Sequence, residues 1–80
     1  MIYIVSEFQT NSDNTVAVLT NNFTDRQAAE SKYHNILSFA ATSTLPVHAA
    51  SIQTNEGALI EYKYYKHAQP EPENEQEVEP

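Results

Sequence analysis

One segment of the chain has a helical pattern, and it lies between two pairs of segments with the alternating pattern of β-strands. The helical segment begins at Thr24-Asp25-Arg26-Gln27, which predicts a capping box with Thr24 as the N-cap residue. We expect the helix to run to about Ala41, with Phe39 packing at the edge of its apolar stripe. That stripe comprises Ala29, Tyr33, Ile36, Leu37 and Ala40.

The alternating segments cover residues 2–9, 15–20, 47–54 and 58–67. Polar residues 10–14 predict the first turn. Gly57, the only glycine, suits the left-handed position of a three-residue hairpin loop. The order ββαββ predicts an α+β fold, in which one helix packs on one face of a four-stranded antiparallel sheet. A right-handed crossover through the helix predicts the strand order 2-1-3-4.

The last twelve residues, 69–80, are rich in glutamate and proline and contain one apolar side chain. Such a segment buries too little surface to offset the entropy of ordering it, so we expect a disordered acidic tail. The folded domain is then residues 1–68. Five of the seven net negative charges lie in the tail, which leaves the domain itself near minus two.

A single helix covers one face of a sheet, yet both faces of this sheet carry large apolar groups. The alternation separates Ile2, Ile4 and Phe8 from Tyr3 and Val5. If the first group faces the helix, the open face becomes a candidate interaction surface. Its residues are then Tyr3, Val5, Leu59 and Tyr65, with Ile60, Tyr62 and Tyr64 on the covered side. The alternative is an ordinary, partly exposed face with scattered tyrosines.

No catalytic, cofactor or metal site is predicted. His34, His48 and His67 lack the spacing of a zinc site, and the chain has no cysteine, so we expect surface or rim histidines. Glu7 and Glu61 are the only strand-borne acids that could act together as acid and base. One glycine does not provide a phosphate-binding loop or a nucleophile elbow. We therefore expect a protein that is not an enzyme.

The run Tyr62-Lys63-Tyr64-Tyr65-Lys66 resembles the aromatic and basic mixture that stacks nucleic-acid bases. Tyr62 and Tyr64 share the Ile60 face in a regular strand, however, and are more simply interpreted as core residues. The acidic tail would also repel phosphates, so nucleic-acid binding is not expected. The apolar N-terminal run is too short to span a membrane and lacks a preceding basic region, which favours a cytoplasmic location without membrane association.

The helical segment also carries a family resemblance. The pattern Phe23-x-Asp25-Arg26-x-x-Ala29-x-x-x-Tyr33-His34-x-x-Leu37-x-x-Ala40-Ala41 resembles short uncharacterised accessory proteins of tailed phages and prophages of Gram-positive bacteria. The resemblance extends over about residues 23–66, through Leu45-Pro46-Val47 and the turn at Gly57. It implies a protein of the infected bacterial cytoplasm or of the virion. It implies no catalytic residues.

These observations predict a small phage-type accessory protein that acts by binding an unknown protein partner, as a homo-oligomer. Two alternatives stay open. One is an inhibitor of a host defence or nucleic-acid enzyme, in which the glutamates of the tail imitate a phosphate backbone. The other is a ligand-sequestering protein with its site at a subunit interface.

Overall fold

The computed structural model describes residues 1–68, and the predicted tail lies outside the described residues. Its elements are β1 (Tyr3–Thr10), β2 (Val16–Phe23), α1 (Arg26–Ala40), β3 (Val47–Thr54) and β4 (Leu59–Lys66). The four strands form one antiparallel sheet in the order β2-β1-β3-β4. The predicted ββαββ fold and the strand order are both confirmed. The second strand runs to Phe23, three residues beyond its predicted end.

The N-cap residue of α1 is Asp25, so the prediction of Thr24 was wrong by one residue. The backbone of Asp25 is extended, and its carboxylate accepts a hydrogen bond from the Ala28 N–H at 3.1 Å. A carboxylate satisfies an unpaired N–H as a threonine hydroxyl does, and its charge also interacts favourably with the helix dipole. The helix begins one residue later than the sequence predicted.

The core lies between α1 and the two central strands. Tyr33 is the largest fully buried side chain, and it packs in one cluster with Val5 and Ile52. The remaining buried members of the cluster are Ala29, Ile36 and Ala50. Phe39 is 70% exposed, so the prediction that it packs at the edge of the stripe was wrong. Its position lies roughly a quarter turn from the centre of the buried stripe, and its ring is in solvent.

The two hairpins use the same loop geometry. In the first, the Asn11 N–H donates to Thr15 and the Asn14 N–H donates to Asn11, and Asn14 has φ 70°. In the second, Thr54 and Gly57 make the equivalent bonds, and Gly57 has φ 90°. This is a type I turn followed by a left-handed residue, which returns the chain to the sheet after three loop residues. The role predicted for Gly57 is confirmed, and Asn14 has that role in the first loop.

We predict that Asp25→Ala lowers the free energy of unfolding by about 1 kcal/mol, because it leaves a helix N–H without its partner. Thr24→Ala is the matched control and should change stability by only a few tenths, about 0.3 kcal/mol. Urea unfolding followed by circular dichroism measures both. A larger loss for Thr24→Ala than for Asp25→Ala would contradict this assignment of the cap.

We predict that Gly57→Ala costs about 1 kcal/mol of stability through backbone strain at positive φ. A Cβ at this position meets no heavy atom within 4 Å, so no steric clash contributes. Gly57→Asn should cost less, because asparagine tolerates this conformation and already occupies the equivalent position at Asn14. Equal losses for the two variants in thermal unfolding would argue against this explanation.

Candidate interaction surface

The side chains of β1 that were expected on the open face lie on the helix side of the sheet. Val5 is fully buried in the core, paired with Ile52 beneath α1, and Tyr3 packs against the same cluster. Ile4 and Phe8 point to the open face instead. The assignment of Tyr3 and Val5 to the open face was therefore wrong. Alternation separates two sets of side chains, but it does not determine which set the helix will cover.

The last strand departs from regular alternation at a bulge opposite Ile52 and Gln53. The bulge lets Ile60 pack against the core, whereas Tyr62 and Tyr64 lie on the open face, 64% and 53% exposed. The prediction that these three residues share one face was wrong, because an extra residue in a strand shifts the side chains that follow it.

Two of the predicted surface residues belong to this strand. Tyr65 pairs with His48 on the helix side, so its assignment to the open face was also wrong. Its ring stacks on His67, with ring centroids 6.4 Å apart. Leu59 pairs with Gln53 and lies on the open face, 54% exposed. It is the one member of the predicted set that the structure places there.

The open face of the sheet, from β2 at one edge to β4 at the other, is here called the open-face trough. One rim is Val16 and Val18 on β2, each 56% exposed. The other rim is Tyr62 and Tyr64 on β4. The floor between the rims comes from the central strands and includes Ser6, Phe8, Ala49 and Ser51, of which the two serines are already buried. The trough is therefore apolar at its rims and lined mainly by small side chains at its floor.

Little charge lies on this face. Of the four basic residues of the chain, Lys66 alone lies on the open face, with its Nζ 5.9 Å from the centre of the Tyr64 ring. Lys63 pairs with Ala50 on the helix side, and Arg26 and Lys32 belong to α1. A surface that tracks a phosphate backbone uses several cations, so this face is better suited to apolar contacts.

A polar cluster lies on the helix side of the central strands. One carboxylate oxygen of Glu7, Oε2, accepts hydrogen bonds from His48 Nε2 at 2.6 Å and from Gln9 Nε2 at 2.8 Å. The His48 side chain is 6% exposed and that of Glu7 is 19% exposed. The pair joins β1 to β3 through residues that are 41 positions apart in the sequence.

The pKa of Glu7 lies below its ordinary value of 4.5. Partial burial alone would raise the pKa. The hydrogen bonds from Gln9 and His48, together with positive charge on His48 and on Lys32, favour the ionised form and outweigh burial. The carboxylate is thus held as an anion within the fold.

Of the three histidines, His48 is the one for which the expected surface position was wrong, because it is 5% exposed. Its Nδ1 atom is buried and has no hydrogen-bond partner within the part of the chain that the structure describes. The hydrogen of the bond to Glu7 is on Nε2, because a carboxylate oxygen only accepts. Both ring nitrogens therefore lie inside the fold, and the pair connects two strands.

The other histidines lie at the surface and rim, as predicted. His34 is exposed on α1. His67 is half-buried, and its Nε2 donates to the carbonyl oxygen of Ala40 at 2.7 Å. This bond links the residue after β4 to the C-terminal end of α1.

Residues 1–68 contain no cavity, no cluster of three or more potential metal ligands, and no helix long and apolar enough to cross a membrane. Comparison with protein-family models, curated proteins and solved structures found no match. The resemblance to phage accessory proteins therefore stays a prediction.

We predict that Glu7→Gln lowers stability by about 1–2 kcal/mol near neutral pH, because it removes the charged acceptor of two hydrogen bonds. The folded-state pKa is depressed, so this contribution is present above the ordinary pKa of 4.5 and is lost as pH falls through the lower folded value. The difference from the unmodified protein should shrink accordingly. Urea unfolding across this pH range measures it.

Glu61→Gln is the control for the loss of one negative charge, because Glu61 is an exposed carboxylate on β4. It should change stability little near neutral pH. A stability difference between the unmodified protein and Glu7→Gln that stayed constant on acidification would contradict the link to Glu7.

Proposed function

We propose that this protein is a small accessory protein of the phage type that acts by binding another protein, as a homo-oligomer. The partner we propose for the open-face trough is an amphipathic α-helix with basic residues on its polar side. The observation that carries this proposal is a sheet with a helix on one face and exposed valine and tyrosine rims on the other. A second helix would cover the apolar side chains that α1 leaves in solvent.

The dimensions of the trough support a helix as its occupant. Its rims belong to β2 and β4, which are three strand spacings apart, or about 14 Å. An α-helix with its side chains is about 10–12 Å across, so one fits between the rims along the strands. Ser6 and Ser51 are already buried by neighbouring side chains, so a partner helix would contact mainly the exposed valine and tyrosine rims.

Charge supports basic residues on the polar side of that helix. The chain carries a net charge of −7. An acidic protein attracts a basic partner and repels an acidic one, which raises the association rate and selects among partners. The trough itself contributes apolar contacts, while the negative charge of the chain contributes long-range attraction.

We predict that a fluorescent amphipathic peptide of about 18 residues, with leucine on one side and lysine on the other, binds the full-length protein. A scrambled peptide of the same composition should bind at least about tenfold more weakly, because it cannot form an apolar helical face. Fluorescence anisotropy measures both affinities. Equal binding of the two peptides would show attraction of charge alone and would overturn the proposal.

Tyr64→Ser should weaken binding of the amphipathic peptide by about tenfold or more, since aromatic rims dominate such contacts. Phe39→Ser is the matched control, because it removes an exposed aromatic ring from α1 and leaves the trough intact. Two other outcomes would assign the trough to another occupant. If the protein binds a labelled single-stranded oligonucleotide and Tyr64→Ser abolishes that binding, the occupant is nucleic acid. Dissociation of an oligomer by Tyr64→Ser would indicate a second copy.

A further inference from the structure

The two edges of the sheet differ in how well they are protected against pairing with another strand. The β4 edge contains a bulge and the charged residues Glu61, Lys63 and Lys66. Natural sheets use bulges and charges of this kind to keep edges apart. The β2 edge, VAVLTNNF, contains no charged residue, proline or glycine, and its register with β1 is continuous over all eight residues. It therefore has none of these protective features.

The hydrogen bonds of the first hairpin determine which backbone groups of β2 point away from the sheet. The Asn11 N–H donates to the Thr15 carbonyl, so this is a hydrogen-bonded pair. Pairs alternate along an antiparallel ladder, which places the next residue, Val16, in a non-bonded pair with Thr10. The same position recurs at Val18, Thr20 and Asn22. Their N–H and C=O groups therefore point outward from the edge.

From these observations we infer that β2 pairs with β2 of a second copy of this chain, antiparallel and centred on Leu19. This inference names the contact of the proposed homo-oligomer and rests on that proposal, but it is independent of helix binding at the trough. Pairing about Leu19 matches Val18 with the partner's Thr20 and Val16 with the partner's Asn22. This register uses all the outward-pointing residues of both strands.

Leu19 itself supports this register. It lies on the helix side of β2, paired with Glu7 of β1, and is 47% exposed because α1 does not cover it. On the two-fold axis it faces its own copy as a non-hydrogen-bonded pair, in which side chains approach most closely. The contact covers an apolar side chain that the isolated chain leaves in water.

The β2 edge is where two copies of this chain can meet with the least repulsion between like charges. Two copies of a chain with net charge −7 repel each other over most approaches. β2 contributes no charge to that repulsion, so pairing along it brings no like charges into direct opposition. The arrangement is also closed, because each copy uses its own β2 and the remaining β4 edges are protected. A dimer is expected, and not a filament.

The two-fold axis of such an antiparallel pair is perpendicular to the sheet. Both helices then lie on one side of a continuous eight-stranded sheet, and both troughs lie on the other. A dimer of this form presents two helix-binding troughs side by side. Two helices linked in one partner would bind it more tightly than either alone.

The test uses the full-length protein with Leu19→Lys and Leu19→Glu. Each variant alone should be monomeric by size-exclusion chromatography with light scattering, because like charges would face each other on the axis. We expect at least an about tenfold rise in the dimer dissociation constant for each. An equimolar mixture should recover the dimer, since lysine then faces glutamate. Leu59→Lys makes the same change on the other edge and should leave the dimer intact.

Three results would overturn the inference. One is an unmodified protein that stays monomeric at about 100 µM, well above the range of a specific dimer. Another is a dimer unaffected by Leu19→Lys. The third is a mixture of the two Leu19 variants that fails to recover the dimer although both variants keep the far-ultraviolet circular dichroism of the folded protein.

Binding of the amphipathic peptide distinguishes a failure of the β2 dimer from a failure of the proposed function. Leu19 lies on the helix side of the sheet, away from the trough, so monomeric Leu19→Lys should bind the amphipathic peptide with nearly unchanged affinity per chain. Loss of the dimer with retained peptide binding supports both statements. An intact dimer that does not bind the peptide contradicts helix binding alone.

Discussion

The packing of α1 across β1 and β3 is the contact on which the rest of the structure depends. Ala29 and Ala40 are fully buried, and their small side chains let the helix backbone lie close to the sheet. Tyr33 then fills the space above Val5 and Ile52. In a chain this short, the core has no second layer, so burial of a few large side chains determines whether the sheet and helix stay together.

The same contact leaves the outer parts of the sheet uncovered. One helix is about 10 Å across, whereas four strands span about 14 Å between the outer pair, so β2 and β4 extend beyond it. On the helix side this geometry leaves Leu19 of β2 exposed. Val16, Val18, Tyr62 and Tyr64 are exposed because they lie on the other face of the sheet, which no helix covers. The exposed apolar surface of the protein thus follows from a single helix that covers one face of the sheet, and only its central strands.

The order of elements and the strand order could be predicted from the sequence, because periodicity and crossover handedness are strong local rules. The orientation of β1 could not. Ile4 and Val5 are both apolar, and only packing against Tyr33 determines which one is covered. The bulge near Ile60 was also missed, since its glycine-free sequence resembles a regular strand. The resulting errors assigned Tyr3, Val5 and Tyr65 to the wrong face.

The Glu7–His48 contact was missed for another reason. The two residues are far apart in the sequence, and their meeting depends on the register between β1 and β3. One local feature could have indicated it. His48 alternates with Ala50 and Ile52, which places a polar side chain on the face that the helix covers and calls for a buried partner.

The hydrogen bond between His67 and the Ala40 carbonyl fixes the end of the domain to which the acidic residues 69–80 are attached. Their attachment point lies beside β4, on the opposite side of the sheet from the unprotected β2 edge. In the proposed two-fold dimer, the attachment points are seven strand spacings apart, or about 34 Å, several times the Debye length of about 8 Å at physiological salt. The points at which the acidic residues join the two domains therefore lie at opposite ends of the proposed dimer.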